Sequence, residues 1–162
     1  MAKVYVTSGE SENIALLAAP SAIVDTPDDL GGVKTMNDGF EPASSADTSH
    51  GAWHNWGGGN QGEEAWVMYE WDSDIIVNST EIYYFRDGNG NFLPASAELS
   101  YLSSEGNWAA PEIKHDDGVN TDKFNITEFA PFVTTKIKLT MKPSALGCGI
   151  IEWRVNGEEV DS

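Results

Sequence analysis

Apolar and polar residues alternate along much of this chain with a period of two, the repeat that sends successive side chains to opposite faces of a strand. The alternation is strict in Thr135-Lys136-Ile137-Lys138-Leu139-Thr140-Met141. It predicts Ile137, Leu139 and Met141 on a buried face and the lysines in water. Ile151, Trp153 and Val155 alternate in the same way and are expected to share one buried face. Short runs rich in β-branched and aromatic residues predict strands over residues 65–71, 74–78, 81–85, 95–102, 132–141 and 149–155. Gly, Pro, Asn and Asp separate these runs, and a helical period is almost absent. Two sheets packed face to face would bury the alternating sets, so the expected fold is all-β, a sandwich of two antiparallel sheets.

A chain of 162 residues suits one domain with its own core. A single module is expected, with its core over about residues 12–157 and polar, frayed ends at 1–12 and 157–162. Cys148 is the one cysteine, which rules out an internal disulfide and leaves both cytosolic and disulfide-free secreted origins open. Nine basic residues against 26 acidic ones give a net charge of −17. Such a surface repels phosphate backbones and anionic lipid, which argues against nucleic-acid and membrane partners. It tolerates neutral sugars and attracts divalent cations, although acidity also serves solubility alone. No run approaches the roughly 18 apolar residues that a membrane span needs. Met1-Ala2-Lys3 leads straight into strand-like Val4-Tyr5-Val6, with no signal-peptide pattern. A secreted origin would therefore make the chain a module excised from a longer protein.

Two segments are long and chemically unusual. The first spans about residues 28–64 and holds Asn37-Asp38-Gly39-Phe40-Glu41-Pro42-Ala43-Ser44-Ser45, then His50-Gly51-Ala52-Trp53-His54-Asn55-Trp56 before a glycine run. The second is Arg86-Asp87-Gly88-Asn89-Gly90-Asn91-Phe92. Long loops on a rigid sheet scaffold are where function usually resides.

Asn13-Ile14-Ala15-Leu16-Leu17-Ala18, Met36-Asn37-Asp38-Gly39, Trp56, Trp66-Val67-Met68-Tyr69 and Ile151-Glu152-Trp153-Arg154-Val155 occur in an order and spacing that resembles a known family. The segments Asp122-Lys123-Phe124-Asn125-Ile126-Thr127-Glu128-Phe129 and Thr134-Thr135-Lys136-Ile137-Lys138-Leu139 extend the likeness. The chain resembles, over about residues 12–157, the discoidin-like (coagulation factor 5/8 C-type) galactose-binding-fold modules, including family 32-like carbohydrate-binding modules. It is similar to those appended to bacterial arabinofuranosidases and other plant-polysaccharide hydrolases. The resemblance implies a jelly-roll β-sandwich, a structural calcium and a sugar site in the loops at one end. It also implies a secreted or cell-surface bacterial module that works as a monomer beside an attached catalytic domain, on arabinose-, xylose- or galactose-containing glycans.

Calcium takes six to eight oxygen ligands. Asp38-Gly39 in a tight turn offers a carboxylate and converging carbonyls, and Ser44 or Ser45 adds a hydroxyl. Glu152 sits in a strand that otherwise reads as core, where a carboxylate requires a partner. The resemblance matches Glu152 to Asp38 on one ion. The alternative is an ordinary Asp-Gly turn and a glutamate facing solvent.

A sugar ring asks for an aromatic platform beside planar hydrogen-bonding groups. Trp66, Trp71 and Trp153 fall in predicted strands and are expected in the core. Trp53, flanked by Gly51, Ala52 and His54, is the favoured platform, so Trp53→Ala is expected to lose binding and keep the fold. Trp56 matches a position that packs in the resembled family, and Trp108, after Glu105-Gly106-Asn107, suits a hairpin-packing role. Arg86, Asp87, Asn89 and Asn91 offer directed hydrogen bonds, with Phe92 able to stack. A plain glycine-rich hairpin is the alternative for that loop. The expected ligand site for a neutral saccharide is thus His50, Trp53, His54, Arg86, Asp87, Asn89, Asn91 and Phe92.

No G-x-S-x-G, H-E-x-x-H or phosphate-binding loop is present, and Cys148 lacks a catalytic setting. His50 and His54 have a helical ligand spacing in a segment whose glycines argue against a helix. The expectation is a non-catalytic module. A protein-interaction or adhesion role on the same fold is the alternative, and an intrinsic glycosidase the more distant one.

Overall fold

Alternation continues through the gaps between several predicted strands, and there the chain keeps its hydrogen-bonded register. The computed structural model describes residues 11–25, 29–57 and 59–160. Among them run nine strands: β1 (Glu12–Asn13), β2 (Ala19–Ala22), β3 (Trp53–His54), β4 (Ala65–Phe85), β5 (Ser96–Leu102), β6 (Trp108–Ala109), β7 (Ile113–Asp116), β8 (Asn125–Lys142) and β9 (Gly149–Glu159). The three runs expected over 65–85 are one strand, β4, and the run expected over 132–141 begins seven residues earlier. The strand-like Val4-Tyr5-Val6 and the far ends of the chain lie outside the described residues.

All pairings between these nine strands are antiparallel, and β4 and β8 run side by side for most of their length. Their register shifts between Glu70 and Ile75 and again between Val77 and Ser79. Such irregularities bend a strand, so each of the two strands serves both layers. One layer holds β2, the first part of β4, the last part of β8, β5 and β6. The other holds β7, the first part of β8, the last part of β4, and β9 with β1 and β3. This is a jelly-roll sandwich of two antiparallel layers joined through shared strands.

Val67, Tyr69, Ile137, Leu139 and Met141 fill the interior from the first layer; Ile75, Val77, Phe129, Ile150, Trp153 and Val155 fill it from the second. Tyr69 stacks on Trp153 at 4.2 Å, and its hydroxyl donates to the Trp153 carbonyl at 2.8 Å. That contact satisfies the buried phenol and ties the layers together. Trp71 and Trp153 are core as expected, whereas Trp66 is half-buried on the outer face, because alternation sets it opposite Ala65 and Val67.

One face assignment differs from the sequence expectation. Ile151 does not share the face of Trp153 and Val155. It belongs to a second cluster with Ala52, Tyr83 and Phe85, outside the second layer. The cause is a bulge: Tyr83 pairs with Glu152 and Tyr84 with Ile150, leaving Ile151 as the extra residue that reverses the facing. Leu30, Phe40 and Phe124 cover this outer cluster. Nor is residue 157 a frayed end. Gly157 pairs with both Glu12 and Val77, and β9 continues to Glu159.

Candidate functional site

β3, β4 and β9 end together, since Phe85 and His54 both pair with Gly149. The segment after β3, the segment after β4 and the segment before β9 therefore emerge at one end of the sandwich. Hydrogen bonds stitch them. Cys148 N–H donates to Asn55 Oδ1 at 2.9 Å, and Asn55 N–H donates to the Cys148 carbonyl at 3.1 Å. Gly147 N–H donates to the Gly90 carbonyl at 2.9 Å, Phe92 N–H to the Gly147 carbonyl at 2.8 Å, and Gly62 N–H to the Leu146 carbonyl at 2.6 Å. The end is thus a built surface of three loops.

The aromatic on that surface is Trp56 rather than Trp53. Trp53 lies in β3 opposite Ile150, is 0% exposed, and donates its indole N–H to the Val24 carbonyl at 2.9 Å. His54, in the same strand, is buried with its ring beside Phe85. Both side chains are buried, away from the loop surface. After buried Asn55 the chain turns through Gly57, which has a positive φ, and Trp56 swings outward to 48% exposure. Its ring lies against Gly90, where a Cβ would come within 2.7 Å of the indole nitrogen. Leu146, also exposed, belongs to the same loop end. Trp108 is 41% exposed, but the Lys138 ammonium sits 4.3 Å above its ring on the outer sheet face, as suits a packing role.

In the second loop the plain turn chemistry prevails for Asp87. Its Oδ1 accepts from the N–H groups of Asn89, Gly90 and Asn91 at 2.8–3.0 Å, and Oδ2 accepts from Asn91 Nδ2 at 3.2 Å. Burial opposes ionisation, but these N–H donors hold the carboxyl down at about 2. Asp87 shapes the loop and has little capacity left for a ligand. Asn91 is buried as part of the same network, and Phe92 is half-buried. Arg86 and Asn89 are exposed, and the Arg86 backbone N–H donates to the Ser45 carbonyl at 2.8 Å.

Asp38 and Glu152 do come together. The bulge at Ile151 and Glu152 turns the glutamate toward the first loop, where Gly39 N–H donates to Glu152 Oε2 at 2.9 Å. Glu152 is 0% exposed, and with the Asp38 carboxyl beside it, its Oε1 finds no hydrogen-bond donor among the described residues. Burial first, and the Asp38 carboxyl beside it second, push its acid up to about 9. Ser44 and Ser45 do not join them. The Ser45 hydroxyl accepts from Asp122 N–H at 2.8 Å, its amide donates to Asp122 Oδ1 at 2.8 Å, and its carbonyl accepts from Arg86 N–H at 2.8 Å. Ser44 closes a local turn with Ala46 and Asp47. Asp122 has φ of 60°, a left-handed conformation that Asp tolerates better than most residues; its reciprocal pair with Ser45 pins the loop to the start of β8. Among the described residues no group of three or more His, Cys, Asp or Glu is placed to hold a metal. His50 belongs to this region rather than to the loop end: it stacks on Phe40 at 4.0 Å, with Nδ1 3.7 Å from Asp38.

No family model matches the chain. Solved structures do. The chain is similar to CpGH89CBM32-5 from Clostridium perfringens, in complex with GalNAc-β-1,3-galactose, at 16% identity over 89% of this chain and 99% of that one, with a TM-score of 0.68. It is similar to the family 32 carbohydrate-binding module of C. perfringens NanJ, in complex with galactose, at 16% identity over 90% and 98%, with a TM-score of 0.66. A structure of the Streptococcus pneumoniae β-galactosidase BgaA matches at 18% identity over 93% and 95%, with a TM-score of 0.70. The fold is the discoidin-like, galactose-binding fold of these modules.

Proposed function

We propose that this chain is a non-catalytic carbohydrate-binding module whose glycan site is the three-loop end around Trp56. The observation that carries the reading is the placement of Trp56: a half-exposed indole held against a glycine, on a rigid end of the same fold as modules solved with galactose and GalNAc-β-1,3-galactose. Arg86 and Asn89, exposed on the loop whose Gly90 meets the indole, supply planar donors. The ligand is a neutral glycan containing galactose, arabinose or xylose, and the module acts as a monomer that holds an attached, secreted bacterial glycoside hydrolase at its polysaccharide.

Asp87 and Glu152, the two carboxyls fixed by these loops, are ill suited to hydrolysis. A glycosidase needs one carboxyl that can carry a proton to the leaving oxygen. Asp87 is held ionised by four N–H bonds, and Glu152 is sealed from solvent.

Calcium belongs to the same proposal, in a structural role. A fully buried carboxylate oxygen without a donor among the described residues, beside a second carboxylate, is an arrangement that a divalent cation would stabilise. Asp38 and Glu152 would hold it with backbone carbonyls and water, since the hydroxyl and carbonyl of Ser45 are already engaged. Bound there, the ion would tie the first long loop to β9.

The test is affinity-gel electrophoresis and a glycan array with wild type and Trp56→Ala, each with calcium and with chelator. Trp56→Ala is expected to lose at least about tenfold in affinity, or 1.4 kcal/mol, with an unchanged melting temperature. Undiminished retention of Trp56→Ala would move the site elsewhere. Silence of the wild type across the whole array would favour the adhesion role.

A further inference from the structure

Both inner faces of a two-layer sandwich are expected to be apolar, and this sandwich departs from that at one side. Thr80, Ile82 and Tyr84 alternate along β4 and face inward beside Asn125, Thr127 and Phe129 of β8, with Thr80 paired to Thr127 and Ile82 to Asn125. Ala97 and Leu99 of β5, with Leu139, form the opposite wall. Between them lies a cleft of about 770 Å³. Glu98, Ile113 and Asp116 line it and are exposed, so it opens to solvent between β5 and β7.

The polar atoms in this cleft fall into two sets. Those of Asn125 and Thr127 are engaged: Asn125 Nδ2 donates to the Ile82 carbonyl at 3.1 Å, and Thr127 Oγ1 to Asp116 Oδ1 at 3.2 Å. Thr80 and Tyr84 are 1% and 2% exposed, yet among the described residues their hydroxyls are not sealed atoms lacking a partner; both residues line the cleft. Tyr69 shows the usual outcome for a buried phenol here, a bond to a backbone carbonyl. On one strand face, four residues apart, the Thr80 and Tyr84 hydroxyls offer donors and acceptors to a molecule seated in the cleft.

We propose that this cleft is a second binding site, sharing no lining residue with the Trp56 surface, for an uncharged, largely apolar small molecule carrying one or two hydrogen-bonding oxygens, in the class of aromatic alcohols and esters. The volume lies within the roughly 300–1,000 Å³ of small-molecule sites. Among the described residues no Lys, Arg or His lines it, and Glu98 and Asp116 at the mouth repel anions. A free sugar would leave most of its hydroxyls against Leu99, Phe129 and Leu139, which disfavours it. An aromatic body covers those walls, and its oxygen meets the Tyr84 or Thr80 hydroxyl. Burial keeps the Tyr84 phenol protonated, so it is available as a donor.

The experiment titrates N-phenyl-1-naphthylamine, an uncharged fluorophore, into the full chain, with benzyl alcohol and methyl benzoate as competitors. A saturable rise in fluorescence, reversed by both competitors, is expected. Ala97→Phe, which fills the cleft from β5, is expected to abolish the rise, whereas Trp56→Ala leaves it intact. Tyr84→Phe removes one oxygen; it should retain the fluorophore and weaken competition by benzyl alcohol about fivefold. Amide shifts on adding benzyl alcohol should fall at residues 80–84 and 97–99, a readout that stands even where Ala97→Phe does not fold. The absence of a saturable rise, its loss in Trp56→Ala, or amide shifts confined to the loop end would overturn the proposal. Because Trp56→Ala separates the two sites, failure here leaves the glycan reading standing.

Discussion

Trp53 and Trp56 stand three residues apart among the same glycines, yet the backbone sends one inward and the other outward. Trp53 is fixed by its pairing with Ile150 and by the bond from its indole to Val24. Truncating it removes a fully buried side chain, so Trp53→Ala is expected to destabilise the fold by about 3–5 kcal/mol, measured by urea unfolding. Retained stability would show that the ring is not core. The sequence marked both tryptophans as candidates but not their directions. What separates them is a strand of two residues, β3, too short for any alternation to reveal. Asp87 shows the converse. Its turn role was legible as an alternative, and the count of N–H donors around it decides the matter. Its depressed acid constant contributes stability that is complete above the unfolded value of about 3.9 and is lost as pH falls toward 2. Wild type and Asp87→Asn should therefore differ in urea midpoint at pH 7 and converge near pH 2.

At the scale of elements, β9 does the most to place the groups of interest. Its bulge reverses Ile151, gives the outer cluster an anchor and presents Glu152 to Asp38. Period-two alternation could not show this, because a bulge adds a residue without altering the apolar character of the run. It made Glu152 look misplaced, and that misfit was the correct signal. The polar positions Thr80 and Thr127 carried a similar signal, hidden because strand ends and core strands look alike when β4 is read as three pieces. Farther along β9, Gly157 lies against the Ile76 carbonyl oxygen, where a Cβ would collide. Gly157→Ala is expected to part β9 from β4 locally and cost about 1–3 kcal/mol. Hydrogen exchange should then accelerate at Val77 and Asn156. Unchanged protection would mean that the strand absorbs the methyl group elsewhere.

For the whole molecule, the two-layer fold was legible because the alternating runs are long and the chain has almost no helical period. The overlap of strands across layers was not, because it depends on register shifts that leave no compositional mark. If an ion joins Asp38 to Glu152, it couples a surface loop to the central strands and should raise global stability. A melting temperature about 5–10 °C higher at 100-fold excess of calcium over its Kd than in chelator is the expected outcome. Equal melting curves would remove the ion from the proposal. The continuity of β4 and β8 has a consequence for how this body comes apart. Each crosses from one layer into the other, so neither layer can detach while its counterpart persists. Loss of structure is then a single event rather than a sequence of layers shed, and a tug from any tethered neighbour meets the whole body at once.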